Sequence, residues 1–214
     1  MQPVYVSKNL IAASSTGIGT ISSAGVVSTL NSSSLGTGRR IAVWGSTSVA
    51  TTFQITGTSE FGSVISETIT GSSIGTEVAT TQDFLTVTAV TPGSTAITST
   101  TGYIGTNTQG GTPWQVVDTW RNPTGLGFNV TPTTTGIVAS LEVTMDYPSY
   151  NRQTSLWAGN NTLTGPRPTI STACSSVTAA TNGNIAYPLA AWRITLTSTS
   201  SGAGTVNATV IQSG

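Results

Sequence analysis

The sequence predicts an all-β protein, an antiparallel β-sandwich or jelly roll, and three observations carry that expectation. Nearly every segment alternates apolar residues with Thr, Ser or Asn at period two, the spacing that turns one side of an extended strand toward a core and the other toward solvent. β-Branched residues dominate those segments, and they suit a pleated, half-buried surface. Short turn clusters separate them, as in Glu60-Phe61-Gly62, Thr91-Pro92-Gly93 and Asn107-Thr108-Gln109-Gly110-Gly111. Helical periodicity between them is almost absent, which argues for a sandwich and against a parallel α/β sheet.

Taken in order, residues 7–38 are rich in Ser, Gly and Ala with scattered Ile, Val and Leu, and 1–38 reads as an extended N-terminal arm that orders against a partner. Within it, Gly17-Ile18-Gly19 and Gly36-Thr37-Gly38 lack the third glycine and following helix of a dinucleotide-binding turn, so they read as turns or arm residues. Residues 39–214 read as the β-domain, either one large sandwich or two sub-sandwiches. Strands are expected at 41–44, 51–56, 63–70, 84–90, 96–104, 115–120 and 126–130. The clearest strand covers 137–145, where Ile137, Ala139, Leu141, Val143 and Met145 share one face and Ser140, Glu142 and Thr144 the other. Trp192, Ile194 and Leu196, then a Ser/Gly turn at 200–204, then Val206, Ala208 and Val210 predict a terminal hairpin. Between these, 148–188 carries Pro148, Pro166, Pro168 and Pro188 and reads as a long surface excursion, of the kind that is functional or docked.

Composition excludes most chemistry. The chain has no histidine, one cysteine and only 7% charged residues, against roughly 25% in an ordinary globular domain. About a third of it is Ser or Thr. General acid-base work and nucleophile activation draw mostly on His, Cys and clustered carboxylates, so the chain reads as a building block and not an enzyme. Glu60, Glu67, Glu77, Asp83, Asp118, Glu142 and Asp146 are scattered and show neither metal-loop spacing nor an obvious acid-base pair. No metal and no cofactor are expected. Gly71-Ser72-Ser73-Ile74-Gly75 matches the G-x-S-x-G string, but that elbow needs a histidine base, and a hairpin loop is the expectation here. The N-x-Ser/Thr strings at Asn31, Asn129, Asn160 and Asn207 carry little information in so Ser/Thr-rich a chain.

Charge and hydropathy bound the partners. Lys8, Arg39, Arg40, Arg121, Arg152, Arg167 and Arg193 balance seven acidic residues, and they form no basic stripe to follow a phosphate backbone. No apolar run has the length of a membrane helix, and the first residues lack the pattern of a secretory signal. Neither nucleic acid nor membrane is an expected partner. A neutral, weakly charged surface favours association, so much of it is expected to be covered by neighbours, copies of the same chain included. Cys174 has no second thiol to pair with and is expected to be buried and inert. The residues with binding character are aromatic: Trp114 and Trp120 bracket one expected strand, and Tyr147, Tyr150 and Trp157 cluster in the excursion. They are candidate interface anchors, with stacking on a carbohydrate as the alternative, which a glycan array tests.

Several segments carry a resemblance. The ending Ala191-Trp192-Arg193-Ile194-Thr195-Leu196-Thr197 with 204–214, and the stretch from Pro113-Trp114 to Asn122-Pro123 with Leu126-Gly127-Phe128-Asn129-Val130 and Leu141-Glu142-Val143-Thr144-Met145-Asp146-Tyr147-Pro148, resemble the end and the middle of tailed-bacteriophage virion structural proteins. Thr52-Phe53-Gln54-Ile55-Thr56-Gly57-Thr58 with Glu67-Thr68-Ile69-Thr70-Gly71 is similar to an early hairpin of the same proteins. The resemblance implies a capsid decoration or cement protein of sandwich or jelly-roll fold. Such a protein packs on the major capsid protein at the capsid surface and is made in the host cytoplasm. A tail, nozzle or fibre component of the virion is the alternative within the same family.

Overall fold

The computed structural model describes residues 3–22, 30–31, 34–45, 52–71, 76–93, 102–117, 125–145, 169–186, 189–198 and 203–213, and no α-helix occurs among them. The strands of the first half are β1 (Val4–Leu10), β2 (Ser14–Ile21), β3 (Gly38–Gly45), β4 (Thr52–Thr58), β5 (Val64–Thr70), β6 (Val78–Ala79), β7 (Thr86–Pro92) and β8 (Gly102–Gly111). The second half adds β9 (Gln115–Val116), β10 (Gly125–Pro132), β11 (Ile137–Thr144), β12 (Thr169–Ile170), β13 (Thr181–Ile185), β14 (Ala191–Ser198) and β15 (Gly204–Ser213), with one 3-10 turn at Thr172–Cys174.

Three antiparallel sheets result. A first sheet has the order β1-β15-β10-β13, a central sheet β12-β11-β14-β8-β3-β6 with β2 on β8 and β9 on β14, and a third sheet β5-β4-β7. The apolar faces form two cores. In one, Leu126, Phe128, Val130, Val206, Ala208 and Val210 of the first sheet meet Ile137, Leu141, Val143, Trp192, Ile194 and Leu196 of the central sheet. In the other, Phe53, Ile55, Ile65, Ile69, Val87 and Val90 of the third sheet meet Ile18, Ile21, Ile41, Val43 and Ile104 of the central sheet. The fold is therefore two sandwiches that share one continuous sheet, and β8 carries that sheet from one to the other.

That passage explains one departure from expectation. Asn107–Gly111, read as a turn, lies inside β8. A side chain at Gly110 would place its Cβ 2.7 Å from the Gly38 carbonyl oxygen and 2.8 Å from Leu10 Cδ1. Glycine is used there for close approach of backbones, not for a bend.

The N-terminal segment differs from the expected arm. β1 pairs with β15 from Val4↔Val210 to Leu10↔Gly204, and β2 pairs with β8. Leu10, Ile18 and Ile21 are fully or almost fully buried, so three of the scattered apolar residues belong to the two cores. Residues 23–29 and 32–33 lie outside the described residues. The excursion is corrected likewise over 169–186, where β12 pairs with β11 and β13 closes the first sheet against β10. Thr181-Asn182-Gly183-Asn184-Ile185 shows little alternation because its inward position 183 must be small: a Cβ there would sit 2.9 Å from Phe128 Cζ. Cys174 is buried in the first core, and burial pushes its thiol pKa up.

The terminal hairpin is also corrected. β14 pairs with β11, β8 and β9, whereas β15 pairs with β1 and β10. The chain crosses from the central sheet to the first sheet, so Ile194 and Leu196 face Val206, Ala208 and Val210 across a core. Alternation reports which side of a strand is apolar and says nothing of its partner. Two positions at the end of β11 depart from expectation: Met145 is 67% exposed, because the strand stops at Thr144, and Thr144, still in register with Ala191, is 2% exposed.

Gly57 offers a test of the second sandwich. It sits at a register shift between β4 and β7, and a Cβ there would lie 1.9 Å from the Thr86 carbonyl oxygen. Gly57→Ala should therefore lower stability by about 1–3 kcal/mol, the cost of overpacking against backbone that cannot move aside, as read from urea unfolding. Gly62, with φ +77 and nothing within 4 Å of a Cβ, is the comparison site, where only the cost of the left-handed backbone applies.

Candidate functional site

Among the described residues the four cations and the carboxylates Glu60, Asp83 and Glu142 collect where the two sandwiches meet, while Glu67 and Glu77 lie elsewhere. Lys8 of β1 donates to Glu60 Oε2 in the β4–β5 turn (2.8 Å), and Glu60 Oε1 accepts from the Gly38 backbone N–H (2.6 Å). Arg193 of β14 donates through Nε to Glu142 Oε2 of β11 (2.6 Å) and through Nη1 to Asp83 Oδ2 (3.2 Å). Arg40 Nε lies 3.9 Å from Asp83 Oδ1, and its Nη1 donates to Gln109 Oε1. The Arg193 guanidinium also stands 4.9 Å from the centre of the Trp114 ring, a cation–π distance. Lys8, Arg39, Arg40 and Arg193 are the cations among the described residues, and all four lie along this seam.

The local reasons are legible in the register. Glu142 and Arg193 are directly opposed across β11 and β14, each the one charge on its strand, and both keep only 14% of their side chains exposed. Asp83 lies just ahead of Phe84, whose backbone exchanges hydrogen bonds with Arg39, and this bridge brings the carboxylate to β3 and β14. Burial pushes the Asp83 carboxyl above its usual range; Arg193 and Arg40 pull it down, while Glu142 and Glu60 push it further up.

The sign of that shift gives a pH prediction. A carboxyl with a higher pKa in the fold than in the unfolded chain binds more protons when folded over the interval between the two values, so its contribution to stability falls as pH rises through that interval. Wild type should lose stability relative to Asp83→Asn as pH rises above the ordinary carboxylate range, measured by urea unfolding across that rise. A difference that changes the other way would assign Asp83 a lowered pKa.

Beside these charges a cleft is lined by Ser59, Glu60, Phe61, Asp83, Trp114 and Arg193, with a volume of about 30 Å³. Among the described residues no group of three or more His, Cys, Asp or Glu is placed to hold a metal. The arrangement joins two sandwiches by ion pairs of Lys8, Arg40 and Arg193 with Glu60, Asp83 and Glu142.

Of the aromatic candidates, Trp114 is 5% exposed, so its ring packs inside the chain under Arg193. Trp120, Tyr147, Tyr150 and Trp157 lie outside the described residues. Two features escaped the sequence reading. Trp44 and Tyr103 stack with ring centroids 4.9 Å apart, as register neighbours on β3 and β8. Tyr5 is 64% exposed because β1 is an edge strand of the first sheet and not part of an arm.

What the charge distribution leaves is two uncharged sheet faces. On the first sheet, alternation turns Tyr5, Ser7 and Asn9 outward, and register aligns Tyr5, Thr209, Asn129 and Asn182 in one row and Ser7, Asn207 and Thr131 in the next. Tyr5 and Ser7 both donate to Asn207 Oδ1, and Ile211 on the same face is 42% exposed. On the third sheet, Thr52 opposes Thr70, Gln54 lies between Thr68 and Thr91, and Thr58 lies between Val64 and Thr86. No charged side chain stands among these outward positions. The signal in the sequence was present: every outward position of β4, β10 and β15 is uncharged.

Comparison with known proteins adds little. No protein-family model matches the chain, and no curated protein matches it. A solved structure of infectious bursal disease virus, Gx strain, aligns with 100% of this chain and 72% of its own at 12% identity and a TM-score of 0.23. The crystal structure of the infectious bursal disease virus VP2 subviral particle aligns with 99% of this chain and 72% of its own, at 10% identity and a TM-score of 0.19. Likenesses this weak carry no argument about fold or function.

Proposed function

We propose that this chain is a non-enzymatic structural protein of a bacteriophage virion, a capsid decoration protein that bridges neighbouring major capsid subunits and associates with copies of itself. The observation that supports this reading is the pair of uncharged outer faces, with the described cations drawn into the seam between the sandwiches. An isolated soluble domain keeps its surface charged and mixed in sign, because a neutral surface promotes association. Faces of Thr, Asn and Ser with Tyr5, Val64 and Ile211 suit contact with other subunits, since they offer hydrogen bonds and apolar area without the desolvation cost of charges. The segments that resemble phage virion proteins point the same way.

The mechanism is geometric. Area buried between this chain and adjacent capsid subunits adds to the free energy required to separate them, and no cofactor or reaction takes part. The location is the outer surface of the capsid, after synthesis in the host cytoplasm. Quantitative mass spectrometry of purified particles tests the reading: a copy number in the hundreds supports a shell protein. A handful of copies per particle would move it to the tail, and absence from particles would end the virion assignment.

A further inference from the structure

Arg39 stands apart from the other cations of the seam. It is 1% exposed, yet no carboxylate lies within ion-pair distance of it among the described residues; Lys8, Arg40 and Arg193 hold the ion pairs. Its Nη1 donates to the Ile11 carbonyl oxygen and its Nη2 to that of Asn107, both neutral acceptors. Its Nε has no hydrogen-bond partner among the described residues. A buried charge without a counter-charge is destabilising, and burial accordingly lowers the Arg39 pKa despite the field of Asp83. Asp83 does not remedy this, since Arg193 and Arg40 already engage it.

Next to Arg39 is a cavity of about 140 Å³ that opens to the surface between β2 and the segment leading into β3. Ser14, Asn31, Ser34 and Thr106 line it together with the apolar Ile18 and Leu35. The cavity has room for a small polar group beside Arg39. A guanidinium without a counter-charge, hydroxyl and amide neighbours and an apolar wall is the chemistry that recognises a planar carboxylate.

We propose that this cavity is a binding site for a small carboxylate, with Arg39 as its counter-charge. The carboxylate neutralises Arg39, which lines the cavity. It is either a free small carboxylate or the side chain of an Asp or Glu on a neighbouring subunit. The inference is independent of the virion reading.

The test is a thermal melt of the full chain in sodium acetate against sodium chloride at matched ionic strength. Acetate should raise Tm saturably, by about 3 °C or more at 100 mM, for a site of millimolar affinity. Arg39→Met also removes two carbonyl contacts, so the deciding variant is Ser34→Leu, at an exposed rim position that leaves Arg39 in place; it should fold as wild type does and lose the acetate response. N-acetyl-aspartate N-methylamide separates the sources: a shift comparable to that of acetate assigns the site to a side chain of a neighbouring subunit, and a response to acetate alone assigns it to a free carboxylate. Equal shifts in chloride and acetate, or an acetate shift that survives in Ser34→Leu, would overturn the proposal.

Discussion

A chain lacking residues 1–22 should fail to fold. β1 and β2 contribute Leu10 to the first core and Ile18 and Ile21 to the second, all at 2% exposure or less. Truncating one such side chain to Ala costs about 2–5 kcal/mol, and the whole stability of a domain is about 5–15 kcal/mol. Losing three, with seven register pairs to β15, exceeds what remains. The truncated chain should show no cooperative thermal transition and no near-ultraviolet circular dichroism. Leu10→Asp should move far in the same direction, while Asn9→Asp, on the exposed side of β1, should melt close to wild type. A truncated chain that folds and melts like wild type would restore the reading of this segment as an arm.

Arg193→Ala should destabilise the chain by about 2–3 kcal/mol. The substitution leaves Glu142 and Asp83 without the guanidinium that joins them and uncovers the Trp114 ring. Removing one partner of a buried pair costs about 3–5 kcal/mol. Side-chain exposures of 14% and 17% admit some water, which places the effect at or below the low end of that range. Arg193→Met combined with Asp83→Asn and Glu142→Gln should recover most of the loss, because no carboxylate is then stranded. Urea unfolding of the three proteins decides it: an Arg193→Ala variant as stable as wild type would show that the seam charges do not hold the sandwiches together.

The sequence reports facing better than pairing. Ile137, Ala139, Leu141 and Val143 were read correctly because strand alternation depends only on which side meets a core. β14 and β15 were recognised as strands and assigned to each other wrongly, since the same pattern serves strands of one sheet or of two opposed sheets. β13 escaped because Phe128 requires glycine at its inward position, which removes the apolar signal. The seam was the least legible. Arg193 and Asp83 are 110 residues apart, and no local pattern marks such a contact. Glu142 and Arg193 could have been matched as the lone charges at outward positions of two regular strands. The charge-free faces were legible in composition alone, because 7% charged residues cannot both fill a seam and cover a surface.

The central claim, attachment to a shell through uncharged faces, is tested most directly by the release of this chain from purified particles as salt is raised. At about 0.5 M salt the Debye length is roughly 4 Å and exposed charge pairs are screened, whereas apolar and neutral hydrogen-bonded contacts persist. The account predicts that nearly all copies stay on the particles after incubation at that salt, with or without EDTA, as quantified in the pelleted fraction. Release of most copies into the supernatant, with the shell beneath intact, would contradict it.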